Sequence, residues 1–163
     1  MTIIERLRQY KELDPHKIAL IVDDKKYTYG DLYDAILSID INDTSRIVNV
    51  AQTKESPKHI VALIQSQSFV EQLVQWLWGL YTGYIPMVCH NEMDTEYVEE
   101  LARIIAYKGV APLADFGVLT SGTTGRPKPL WRSESSWREF FDIQNDIFHI
   151  NKDTKIFLHG SFS

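Results

Sequence analysis

Residues 59 to 90 limit the fold most tightly. "HIVALIQ" is a strand candidate, and "FVEQLVQWLWGLY" at 69 to 81 lies in a helix from about Ser68 to Thr82 that is apolar nearly all round. Such a helix has to be covered on more than one side. Gly83 suits its C-terminal cap, and "YIPMVCH" follows as another strand. Strand, doubly covered helix, strand is the grammar of an α/β layered sheet with flanking helices, not of separate all-α or all-β regions.

The remaining segments keep that alternation. Ile3, Ile4, Leu7 and Tyr10 have helical spacing, with Thr2 as N-cap and Asp14 and Pro15 as the stop. "KIALIVDDKKYTY" reads as two short strands around the polar turn Asp23 to Lys26, whose type four residues do not fix. Gly30 and Asp31 introduce a helix through about Ile39, and "RIVNVAQ" is a strand separated from "HIVALIQ" by a polar loop containing Pro57. Asp94 caps a helix with Val98, Leu101, Ala102 and Ile105 buried, Glu96, Glu99 and Glu100 solvated near its start, and Lys108 and Gly109 at its close. "FGVLT" is a strand and "SGTTGRPK" a loop. Ser133 or a serine after it starts a last helix with Trp137, Phe140, Phe141, Gln144, Ile147 and Phe148 on one side, and "KIFLHG" resumes a strand.

The chain has 163 residues, 44% hydrophobic and 24% charged, enough for one globular core and short for a multi-step enzyme. Its net charge of −5 argues against nucleic acid as a partner. Cys89 is the single cysteine, so no intrachain disulfide forms, and its pattern is that of a small buried apolar side chain. The N-terminus is not a signal peptide and no run approaches the ~20 apolar residues of a membrane span, so the expected location is the cytoplasm.

"LTSGTTGRPKPL", residues 119 to 130, fits none of these structural roles. Gly122 and Gly125 let successive backbone N–H groups converge, Thr120, Ser121, Thr123 and Thr124 add hydroxyls, and Lys128 adds a cation. Residues 124 to 138 hold Arg126, Lys128, Arg132 and Arg138 against Glu134 alone. Donors around a small-residue turn, with charge beside them, suit a polyphosphate. A plain polar turn between strands is the competing structural reading. The spacing is not that of a Walker A loop, because Lys128 does not follow a glycine and Pro129 takes the Ser/Thr position. Nor is it G-x-G-x-x-G, since Gly117 stands alone upstream.

The segment "TSGTTGRPK" resembles the phosphate-binding signature of the AMP-forming adenylating superfamily, which includes acyl-CoA synthetases, peptide-synthetase adenylation domains and luciferases. "KKYTYGDLYDAI" is similar to that family's early hairpin and helix, and "VEQLVQWLWGLYTGYIPMV" to its helix-glycine-strand segment. The short spacing and "KPLWRSESSW" look like compact bacterial ligases of fatty or other organic acids, whereas Pro129 and Arg132 depart from the pattern of larger members, so their histidine is not carried over. The resemblance implies that residues 1 to 163 are the N-terminal part of an adenylate-forming domain. It implies a carboxylic acid attacking ATP to give an acyl-adenylate and pyrophosphate, followed by transfer to CoA or an acyl-carrier protein. Thr120, Ser121, Gly122, Thr123, Thr124, Gly125 and Lys128 would hold the ATP phosphates with Mg²⁺, and no catalytic residue and no protein metal site is assigned here. The family's later motifs and its mobile C-terminal lid domain are not in this sequence, so the chain alone is expected to be inactive. The alternative is a non-catalytic interaction module that keeps the loop and works through a partner, docking or self-associating through surface left exposed.

Overall fold

A computed structural model describes residues 1–40, 46–50, 60–90, 92–120 and 127–158. Helix α1 (Ile3–Leu13) begins in a capping box: the Glu5 amide donates to Thr2 Oγ1 at 3.1 Å and the Thr2 amide to Glu5 Oε2 at 2.7 Å. β1 (Ile18–Val22) and β2 (Lys25–Thr28) form an antiparallel hairpin. Its turn is resolved by Asp23 and Asp24, both at positive φ (48° and 64°), the backbone of a two-residue type I′ connection. Thr28 and Asp31 then form a second capping box, opening α2 (Tyr29–Ser38) one residue before the expected Gly30.

The main sheet holds β3 (Arg46–Asn49), β4 (Ile60–Ile64), β5 (Ile85–Val88), β6 (Phe116–Leu119) and β7 (Pro129–Arg132), in that spatial order. β4, β5 and β6 are parallel, while β3 and β7 run antiparallel at the edges. Helix α3 (Phe69–Thr82) connects β4 to β5, and α4 (Thr95–Lys108) connects β5 to β6. Side chains alternate along the strands, so the sheet has two apolar faces. Ala62, Ile64, Val88 and Phe116 pack with α1, α2 and α3, whereas Val61, Leu63, Ile85, Met87 and Cys89 pack with α4. Both crossovers advance in the same direction across the sheet, yet their helices lie on opposite faces. The two connections therefore have opposite hands, and one of them is the rare left-handed form.

The doubly covered helix is α3. Ser68 caps it, Gly83 ends it at φ 77°, and Trp76, Leu77 and Trp78 are buried. Gln72 is also buried, and its Nε2 donates to the Ser66 carbonyl at 2.6 Å, so the amide in the apolar layer is satisfied. Gly79 is a point of close approach: a Cβ there would lie 2.8 Å from Pro86 Cβ and 3.2 Å from both Cγ and Cδ of that ring. Helix and strand meet backbone to ring because the glycine has no side chain.

Near the end of the chain one element is added and two expectations are corrected. Strand β7 forms between the expected loop and the expected helix; Pro129 is tolerated because it is the first residue of an edge strand. The single last helix is two, α5 (Glu134–Arg138) and α6 (Phe141–Phe148), and α6 has no buried residue. Trp137 does reach the sheet, its ring 5.0 Å from that of Phe116, but Phe140, Ile147 and Phe148 are exposed. Lys155 to Leu158 form no strand, because no neighbouring strand supplies a ladder to them among the described residues. Met1 to Ile3 are held to α5 instead: the Ile3 amide donates to buried Glu134 Oε2 at 2.8 Å, and the Glu134 amide donates to Asp115 Oδ2 at 2.8 Å.

Gly to Ala in a helix ordinarily gains up to ~1 kcal/mol. For Gly79→Ala the rigid Pro86 ring reverses the sign, since overpacking costs about 1–3 kcal/mol. Urea unfolding should show a net loss of about 1 kcal/mol, and Pro86→Ala in the same background should restore part of it.

Candidate functional site

The C-terminal ends of β4, β5 and β6 share one edge of the sheet, and Thr120 is the first residue beyond β6 on that edge. Ligand loops of α/β sheets occupy this position. The β6–β7 register pairs Leu119 with Pro129, and continuing it by one step sets Thr120 opposite Lys128. Those two residues exchange hydrogen bonds. The Thr120 amide donates to the Lys128 carbonyl at 3.0 Å, and the Lys128 amide donates to Thr120 Oγ1 at 2.9 Å. The expected loop thus has a closed neck formed by its first and last candidate residues. Ser121, Gly122, Thr123, Thr124 and Gly125 lie outside the described residues.

Burial alternates along the returning strand. Pro127, Pro129 and Trp131 are half-buried, whereas Lys128, Leu130 and Arg132 are exposed. Lys128 and Arg132 therefore share a face, but four residues of strand separate them by roughly 13 Å. Arg138 donates through Nη1 to the Met1 carbonyl, so it is turned to the N-terminus. Of the cations grouped by the sequence, Lys128 is the one described at the neck; Arg126 lies outside the described residues.

Sequence reasoning missed Tyr97, in the first turn of α4. Its amide is capped by Asp94 Oδ1 at 2.6 Å, its ring is buried, and its hydroxyl donates to the Pro127 carbonyl. Beside it a cavity of about 460 Å³ lies between α4 and β7, with Ile104, Lys108, Pro129 and Trp131 among its walls. A tyrosine in a helix's first turn carries no motif, and nothing in the spacing 97 to 127 signals the contact. Asp94 itself was legible as the cap.

Cys89 follows β5, fully buried, and burial pushes its thiol up to about 11. The neighbouring His90 accepts at Nδ1 from the Glu92 amide at 3.2 Å. The burial of Cys89 agrees with its reading as a small apolar side chain. Among the described residues no three His, Cys, Asp or Glu side chains group as a metal site, and no helix is long and apolar enough to cross a membrane.

No family model matches the chain. It is 24% identical over 186 residues to a Staphylococcus aureus (strain COL) protein named long chain fatty acid-CoA ligase VraA, covering 99% of this chain and 38% of that one. A protein of the same name from Staphylococcus haemolyticus (strain JCSC1435) is 27% identical over 159 residues, covering 84% and 33% respectively. The fold matches that of o-succinylbenzoate CoA synthetase from Bacillus subtilis, with a TM-score of 0.58 at 14% identity, over 93% of this chain and 37% of the other. The chain is thus similar in sequence to proteins named as CoA ligases and shares the fold of a CoA synthetase. It spans little more than a third of the length of the relatives it matches.

The shifted Cys89 thiol gives a direct check on its structural role. At pH 8 a thiol pushed up to about 11 carries roughly 100-fold less thiolate than a free cysteine has. Labelling with a thiol reagent should be slower than for a free cysteine by at least that factor and become fast in urea. Fast labelling of the folded protein would show that the site is open.

Proposed function

We propose that this chain is the N-terminal part of an ATP-dependent, AMP-forming acid–thiol ligase, and that residues 120 to 128 hold the β- and γ-phosphates of ATP. The observation that carries this reading is the closed neck: Thr120 and Lys128 are bonded to each other at the end of β6, with the resembling signature strung between them. A neck fixed by two hydrogen bonds sets where the loop's donors begin and end. Positioned donors act on developing phosphate charge without reorganising. Lys128, exposed at the neck, is suited to pair with phosphate oxygens as a point charge. Backbone amides, hydroxyls and an ammonium form a donor set for phosphate oxygens, so Mg²⁺ would be brought by the nucleotide. Its part is to neutralise charge on the departing pyrophosphate.

In the parent ligase a carboxylic acid would attack the α-phosphate, and the acyl group would pass to CoA or an acyl-carrier protein. The lengths of its relatives that this chain does not span would supply the adenine, ribose and acyl contacts. The ligase would work in the cytoplasm, in fatty acid metabolism, without nucleic acid.

One observation favours a second reading, an interaction module that self-associates. Phe140, Ile143, Ile147, Phe148, Ile156 and Phe157 are each exposed, apolar surface of a kind that favours association. Sedimentation velocity separates the two, since a stable dimer without pyrophosphate affinity would favour the module.

For the ligase reading, this chain should bind Mg²⁺-pyrophosphate weakly, with a Kd of about 1 mM. Lys128→Ala should weaken binding roughly 10-fold or more, the worth of a hydrogen bond to a charged group. In the complete ligase the same change should lower acid-dependent ATP–pyrophosphate exchange. An unaltered affinity for pyrophosphate would remove Lys128 from the role.

A further inference from the structure

We propose that Tyr97 is a positioning residue that orients the Pro127–Lys128 peptide and, through it, the Lys128 ammonium; this rests on the phosphate-binding reading above. A single peptide unit is held at both of its polar groups. Its carbonyl, from Pro127, accepts from the Tyr97 hydroxyl, and its N–H, from Lys128, donates to Thr120 Oγ1 at 2.9 Å. A peptide plane free at either group can rotate about the line joining its two Cα atoms. Held at both, it cannot turn without breaking a bond. The flanking prolines restrict the same unit further: the Pro127 ring fixes its own φ, and Pro129 confines Lys128 to extended conformations.

The two anchors have different origins. Thr120 belongs to the neck itself, whereas Tyr97 is fixed to the sheet's core. Asp94 caps the Tyr97 amide, and Val98, Leu101, Ala102 and Ile105 seat α4 against Leu63, Ile85 and Met87. Tyr97 thus ties the returning limb of the loop, through α4, to the buried strands of the sheet. Phosphate bound at Lys128 would meet a cation whose backbone is already in place, so less ordering would be needed on binding.

The test is a double-mutant cycle on this chain, with Mg²⁺-pyrophosphate as the probe followed by NMR titration. Tyr97→Phe keeps the buried ring and removes the hydroxyl. It should weaken binding about 5-fold with little change in the urea midpoint, and it should speed hydrogen exchange at the Lys128 amide. On a Lys128→Ala background the same change should have almost no further effect on binding, because its route to phosphate is gone. A purely structural tyrosine would give the same loss on both backgrounds, and that result, or unchanged binding by Tyr97→Phe, would overturn the proposal. If wild type and Lys128→Ala bind equally, the phosphate-loop reading fails first and takes this one with it. Should Tyr97→Phe unfold, Tyr97→Trp, which keeps a buried ring and moves the donor, carries the same cycle.

Discussion

Burial of β4 and β5 on both faces is the constraint on which the other elements depend. Val61, Ala62, Leu63 and Ile64 are all essentially inaccessible, as are Pro86 and Met87. Strands of this kind need a helical layer on each side. α3 supplies one and α4 the other, and they do so without any reversal of strand order, through crossovers of opposite hand. Because α4 is on the far face from α3, its first turn comes beside the β6–β7 hairpin. That is how Tyr97 reaches Pro127, so the geometry at the neck descends from the demand for two apolar layers.

The neck itself is a small device with few parts. Thr120 and Lys128 bond reciprocally, and the edge strand that returns from the loop puts proline on one face and lysine on the other. Charge and packing are separated by the strand's own period of two. The same edge strand leads through Ser133 to Glu134, whose carboxylate receives the chain's third amide. Loop, edge strand and N-terminal helix are thereby one connected assembly.

Elements fixed by local chemistry were legible in the sequence. Thr2, Ser68 and Asp94 were read as caps or helix starts, Gly83 as a stop, and Val98, Leu101, Ala102 and Ile105 of the buried stripe of α4 were named, with Tyr97 left out. What was not legible depends on partners distant along the chain. β7 is a strand because β6 lies beside it, though Pro129 reads locally as a breaker. The apolar residues of α6 read as a buried stripe, yet burial needs a facing element, and among the described residues the helix has none that covers it. Of the candidate site, the neck residues were named from the signature. Tyr97 was not, because a hydroxyl reaching a carbonyl 30 positions away leaves no periodic trace. The five candidate residues from Ser121 to Gly125 lie outside the described residues and rest on the signature alone.

The hydrogen bond from Ile3 to Glu134 joins positions 131 residues apart. Closing a loop of that length in an unfolded chain costs about 2 kcal/mol more than closing one a tenth as long. The capping box of α1 is complete within its first five residues and can form at once. Its tie to Glu134 requires α5, and α5 follows every strand of the sheet. During synthesis α1 is therefore made well before the segment that fastens it.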